Sequence, residues 1–114
     1  MHHMIIPVLP TSDFQHDSGR RLRWLISKLG LKQTQAADIM GVSKHVLRNW
    51  LAGDNPVQPY PLYRLCRSRG VDFNFVYLGD WTHLPYELAK AAEQEALASL
   101  AGSPALASQA NEIA

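Results

Sequence analysis

Apolar residues recur along most of this chain at helical rather than strand spacing. Leu22, Leu25, Ile26 and Leu29 stand at i, i+3, i+4 and i+7, one buried face of a helix. Asp17 or Ser18 is placed to cap its start, and Gly30 falls where a left-handed residue ends a helix. Trp24 lies off that stripe, which predicts that it covers a neighbouring helix or a subunit contact. A second helix is predicted over residues 33–40, burying Ala36, Ala37, Ile39 and Met40. Ser43 caps a third, which turns Val46, Leu47 and Trp50 inward and ends near Gly53. "GDNPVQPYP" is a loop dense in turn residues. Pro61 suits the first turn of a fourth helix through Leu62, Tyr63, Leu65 and Cys66, stopped at Gly70. Asp72 then caps a short fifth helix, "FNFVYL", closed by Gly79. Only "MIIPVL" has strand character, and Pro7 confines it to an edge or an arm.

Residues 83–101 form an alanine-rich helical pattern with Pro85 in its first turn. The larger apolar residues split into Leu84 with Leu88 and Tyr86 with Leu97 and Leu100, so there is no single stripe. Such a helix packs on its own domain or offers a small-residue surface to a second subunit; the second is the expectation. From Gly102 onward Ala, Ser, Gln and Asn dominate, the composition of a disordered tail. The predicted layout is all-α: an arm over 1–17, a helical domain over 18–80, a C-terminal helix over 81–102 available for dimerisation, and a tail over 103–114.

Composition narrows the class. A chain of 114 residues supports one domain with a small core and some tail. No apolar run is long enough for a bilayer, and "MHHMIIPVLP" lacks the basic and long apolar regions of a signal peptide. A cytoplasmic protein without membrane contact is expected. Cys66 is the only cysteine, which excludes an intrachain disulfide and a cysteine zinc cluster. A small buried apolar role suits it better than a nucleophilic one.

The net charge of +1 conceals a strong division. Residues 20–70 hold ten of the eleven basic residues against only Asp38 and Asp54, a net +8, while the remainder sums to −7. A basic central segment is the footprint of a surface that meets phosphates, although charge alone equally describes solvated helix faces.

The stretch "QTQAADIMGVSKHVLRNWLAG", Gln33 to Gly53, decides between them. Ala37 is small where two helices must approach closely at a corner. Gly41 allows the positive φ of a three-residue turn, and Val42 plugs into the core. Leu47 and Trp50 anchor the inner face of the following helix, which is helix-turn-helix grammar. The outer face is left to Lys44, His45, Arg48 and, beside them, Asn49. An α-helix fits the major groove, where Arg and Lys donate to guanine and Asn pairs bidentately with adenine.

The run "LKQTQAADIMGVSKHVLRNWLAG" resembles the Cro/C1-type (XRE-like) helix-turn-helix domain of phage and bacterial regulators. Gln33, Ala37, Gly41, Val42, Ser43, Leu47, Trp50 and Gly53 fall in register with its pattern, and "GVDFNFVYLGD" is similar to its fifth-helix segment. The likeness covers Gly19 to Asp80, the extent of a five-helix domain of this class. Three positions depart from it. Lys32 stands where a Ser or Thr cap is usual, Leu51 replaces an acidic residue, and Ala36 is smaller than the usual leucine, a volume Trp24 is placed to make up.

The resemblance implies an all-α fold, a five-helix Cro/C1-type domain with an additional C-terminal helix, and site residues by position. Gln33 would bond a backbone phosphate, with Thr34 beside it among the DNA contacts. Ser43 and Lys44 would meet phosphates or base edges, His45 and Arg48 would read bases, and Asn49 would contact base or backbone. Each has a plainer role: a solvated His45, a surface Lys44, an Arg48 paired with Asp54. The implied function is a sequence-specific double-stranded DNA-binding transcriptional regulator, a repressor of phage or mobile-element type working as a homodimer on two half-sites. The alternative is an antitoxin or adaptor whose partner is another protein.

Enzyme chemistry has little to stand on. His2, His3, His16 and His83 lack metal-ligand spacing with one another or with Cys66. Ser43 and His45 sit two apart at a helix start and form no nucleophile–base pair with an orienting third group. No glycine-rich phosphate loop is present, and neither a catalytic site, a cofactor nor a metal is expected.

Overall fold

The computed structural model describes residues 8–102. Among them every regular element is a helix: α1 Thr11–Lys28, α2 Gln33–Met40, α3 Lys44–Ala52, α4 Pro59–Arg69, α5 Asn74–Leu78 and α6 Tyr86–Gly102. The all-α class is therefore as expected. No described helix is long and apolar enough to cross a membrane. The strand-like "MIIPVL" falls mainly, at residues 4–7, outside the described residues, as do His2, His3 and the tail from residue 103. The chain divides into two compact units, one ending at Asp80 and the other beginning at Trp81.

In the first unit α1 packs on α3 and α5, and α2 packs on α3 and α4. The predicted stripe on α1 is the core stripe: Leu22 and Leu25 are fully buried and Ile26 nearly so, with Leu29 half-buried at its end. The rest of the core is Ala36, Ala37 and Met40 of α2, Leu47, Trp50 and Leu51 of α3, Leu62, Leu65 and Cys66 of α4, and Phe75 and Val76 of α5, all buried. Burial of this many apolar side chains, at about 1.5–3 kcal/mol each, is the main term holding so small a unit together.

Several boundaries differ from those expected. Helix α1 begins at Thr11, behind Pro10, so Asp17 and Ser18 lie inside it rather than capping it. The early turns carry their own packing: Phe14 stacks on Tyr77 of α5 with centroids 5.9 Å apart, and His16 lies against Gly53. Helix α4 begins at Pro59, inside the expected loop, so that Pro61 does lie in its first turn, and Val57 in the preceding loop is buried. Asp72 does not cap α5 with its carboxylate. Its backbone carbonyl accepts from Phe75 N–H at 3.3 Å, while Oδ2 is buried with no partner among the described residues.

Trp24 covers a neighbouring helix, as its place off the stripe predicts. Its ring lies 5.5 Å from that of Phe75 on α5, and the Lys28 ammonium sits 5.9 Å above it. Cys66 is buried, and burial, followed by the nearby Asp72, pushes its thiol up to about 11. It remains a thiol at neutral pH and behaves as a small apolar side chain.

In the second unit α6 starts one residue after Pro85, whose carbonyl accepts from Ala89 N–H at 2.8 Å. Pro85 thus precedes the first turn instead of occupying it. Leu84 and Ala92 are buried and Leu88 is half-buried, whereas Tyr86 and Leu97 are exposed. The Leu100 side chain lies outside the described residues.

Candidate nucleic-acid interface

The segment between α2 and α3 is three residues long, and Gly41 within it adopts φ 76°, the left-handed conformation that an L side chain rarely takes. The turn closes on α2: the Gly41 and Val42 amides both donate to the Ala37 carbonyl, at 2.8 and 3.0 Å. Small Ala37, 2% exposed, is what lets the corner sit so close. Val42 is only half-buried, so its plugging of the core is partial.

Ser43 caps α3 as predicted, its Oγ accepting from Val46 N–H at 3.1 Å. The helix ends in a left-handed Gly53, so all nine residues form one rigid, capped rod. Its inner face differs by one position from the expected one. Leu47, Trp50 and Leu51 are buried, at i, i+3 and i+4, and Val46 is pushed to the edge of that stripe with 36% of its surface exposed. The departure at Leu51 now has a cause: an apolar residue there faces the core.

The α1 backbone crosses α3 closely. A Cβ placed on Gly19 would collide with the Trp50 carbonyl oxygen, so glycine is required for the two helices to pack.

Lys44, His45 and Arg48 are exposed on the remaining face of α3, and Asn49 beside them is half-buried. Lys44 and Arg48 form no ion pair among the described residues; in particular Arg48 does not pair with Asp54. Asn49 Nδ2 lies 3.4 Å from His45 Nε2, one helical turn away. Gln33 and Thr34 are exposed in the first turn of α2, a separate element from the other candidates. Lys32 cannot cap that helix with an ammonium group, which has no lone pair. Gln35 secures the turn from the other side, its Oε1 accepting from the Lys32 amide at 2.8 Å.

Not every cation of the basic segment faces solvent for a ligand. Arg21 donates from Nε to the Val76 carbonyl at 2.8 Å and from Nη2 to the Tyr77 carbonyl at 3.0 Å, closing the end of α5. Burial, only partly opposed by the attraction of Asp17, lowers its pKa. Arg64 donates from Nε to the Ile39 carbonyl at 2.9 Å, closing the end of α2. Both place positive charge where a helix dipole is negative. Sequence reasoning counted them in the basic footprint and missed their structural task, because their partners lie 55 and 25 residues away. Arg20 is shared with Asp17 at 3.8 Å.

Among the described residues no three His, Cys, Asp or Glu side chains converge on a position that would hold a metal ion. Comparison with protein-family models, with curated proteins and with solved structures finds no match to this chain.

Proposed function

We propose that the chain is a sequence-specific double-stranded DNA-binding transcriptional regulator, a cytoplasmic repressor of phage or mobile-element type. In this reading α1 to α5 are a five-helix Cro/C1-type helix-turn-helix domain, and α6 is an additional helix serving a homodimer. The observation that carries it is the two-sidedness of α3. Leu47, Trp50 and Leu51 fix one face in the core, while Lys44, His45 and Arg48 stand in solvent on the other, with Lys44 and Arg48 unpaired with any carboxylate. A helix so held fits the major groove, and its cations would release counterions from phosphates or donate to guanine. Gln33, Thr34 and Ser43 would then contact the backbone from two helix starts, the usual place for phosphate bonds. His45 and Arg48 face the bases, with Asn49 on base or backbone.

The test is titration of the full-length protein with a pool of duplex DNA at several salt concentrations. Affinity should fall steeply with salt, and selection from the pool should enrich a single motif with two half-sites about one helical turn apart. Binding that is absent at low salt overturns the proposal. A second reading, an antitoxin or adaptor, has one observation in its favour: Tyr60 and Tyr63 are exposed on α4 and stack on each other at 6.0 Å, an aromatic surface of the kind protein partners cover. Stable copurification of a protein partner that leaves DNA unbound would favour it.

A further inference from the structure

Helix α4 buries Leu62, Leu65 and Cys66 and turns another face to solvent. Tyr60, Tyr63, Arg64 and Arg67 recur there at i, i+3, i+4 and i+7, and all four are exposed. Tyrosine and arginine are among the side chains on which interfaces most often depend. An open cleft of about 410 Å³ adjoins them, lined by Ile39, Tyr63, Arg64, Arg67 and Ser68. Arg67 has no ion pair among the described residues, and Arg64 engages the Ile39 carbonyl through Nε alone. Asp38, the one carboxylate of α2, pairs with neither arginine. Ser68 already donates to the Leu65 carbonyl. The cleft therefore suits an apolar side chain with a carboxylate beside it.

Helix α6 carries that combination. Tyr86, Lys90, Glu93 and Leu97 fall on one stripe and are all exposed, whereas Ala92 and the preceding Leu84 are buried on another. Leu97 stands in solvent with 60% of its surface exposed, and Glu93 lies one turn before it. Glu87, Glu93 and Glu95 against Lys90 give the helix a net −2 (1 minus 3), opposite to the +8 of residues 20–70. We infer that α6 of one copy docks on α4 of a second copy, with Leu97 in the cleft beside Tyr63 and Glu93 on Arg67. A two-fold axis repeats the contact. This rests on the homodimer proposed above and names the two surfaces that form it. Pairing of like faces is poorer. Two α4 helices would bring Arg64 and Arg67 against their own copies, and two α6 helices would join net-negative surfaces and leave Tyr60 and Tyr63 in water. A solvent-facing ion pair adds little affinity, so burial of Leu97 and Tyr63 holds the dimer and the charges select the partner face.

The experiment is sedimentation equilibrium of the full-length protein. Wild type should form a dimer. R67E and E93R, both at exposed positions and checked for an unchanged melt, should each weaken self-association by about 10-fold or more, because the two-fold axis repeats the repulsion. L97A should weaken it as well. An equal mixture of R67E and E93R should regain wild-type association, since both contacts of the mixed dimer then join opposite charges. Mixing cannot repair a contact made within one copy. A mixture no tighter than either variant alone therefore overturns the docking between copies. An R67E dimer as tight as wild type overturns α4 as the acceptor, and a simultaneous loss of nonspecific duplex affinity would assign Arg67 to nucleic acid. A wild type that stays monomeric at every concentration, with and without duplex, overturns the pairing. Rescue by mixing in a protein that binds no duplex leaves the pairing standing and overturns the DNA reading alone.

Discussion

Arg64 reaches from α4 to the end of α2, where its Nε donates to the Ile39 carbonyl at 2.9 Å and its guanidinium lies across Gly41. A Cβ on Gly41 would stand 2.7 Å from Arg64 Nη1. Glycine is needed here for its left-handed φ, and a side chain would in addition have to push the flexible guanidinium end aside. One cation thus closes the helix that precedes the corner and roofs the corner itself.

Removing either member of that pair should loosen the corner. Arg64→Ala is expected to cost about 1 kcal/mol, the size of a solvent-facing hydrogen bond from a charged donor to a helix end. Gly41→Ala should cost about 1–3 kcal/mol through backbone strain and displacement of the guanidinium. Urea melts of the two single variants and the double variant would show costs that do not add, since the clash disappears once Arg64 is shortened.

Base contact by Arg48 predicts a loss without unfolding. Arg48→Ala should weaken binding to the selected motif by about 1–3 kcal/mol and leave the thermal melt unchanged. Lys44→Ala, if its contact is to phosphate, should weaken all sequences alike and lower the salt slope by about one. Unchanged affinity in a folded Arg48→Ala protein removes Arg48 from the interface.

The support beneath α3 should be far more sensitive than its surface. Trp50→Ala is expected to destabilise the protein by about 3–5 kcal/mol, since the ring is only 4% exposed and its loss leaves a cavity. Gly19→Ala should also destabilise, by overpacking against the Trp50 carbonyl. Differential scanning calorimetry of both variants checks this, and a Trp50→Ala melt equal to wild type would misplace the inner face.

Much of this was legible in the residue pattern, and the rest was hidden for physical reasons. Gly41, Ser43, Gly53 and Gly70 mark real corners and caps, because capping is a local matter that nearby residues decide. The exposed Lys44, His45 and Arg48 follow from the phase set by Leu47 and Trp50. The start of α1 was not legible: Thr11–Asp17 shows no apolar period, and Phe14 is justified only by Tyr77, far along the chain. Arg21 and Arg64 look like surface charge until the fold brings backbone carbonyls to them. Asp72 has the composition of a cap but the wrong place, one residue too early for its carboxylate. The His45–Asn49 contact was within reach, since i, i+4 neighbours on a helix face each other.

Alkaline pH offers a test of the α4–α5 core. The Cys66 thiol titrates near its ordinary value of 9.0 when unfolded and at about 11 when folded. Above pH 9 the unfolded chain therefore releases a proton that the folded one keeps. Stability should fall from about pH 9 to about pH 11 and then level for this group. Tyr77, whose phenol is also raised by burial and donates to the Val57 carbonyl at 2.6 Å, acts in the same direction. Urea midpoints across that range should decline, and Cys66→Ala should flatten part of the slope. A wild-type midpoint constant over the range would place the thiol in water.

The homodimer proposed above can be tested on the second unit. Deleting residues 83–114 is expected to leave a folded monomer that still binds nonspecific duplex but loses tight binding to paired half-sites. The division of the chain after Asp80 is where such a cut should do least harm to the helices before it. Sedimentation of both proteins, with motif titrations, decides. A truncated protein that remains dimeric moves the interface off α6, and a full-length protein that is monomeric even on the motif removes the dimer.

The crossing at Gly19 has an evolutionary corollary. There α1 meets α3 through main-chain atoms, and the other anchors of α3 are Leu47, Trp50 and Leu51. The outward residues Lys44, His45 and Arg48 are exposed, so substitutions at these three positions are expected to be nearly neutral for folding. Such a surface can drift from one target to another through fully folded intermediates. If this face reads DNA as proposed, the cost of change falls on recognition alone, and a single scaffold can supply a lineage of proteins with different specificities.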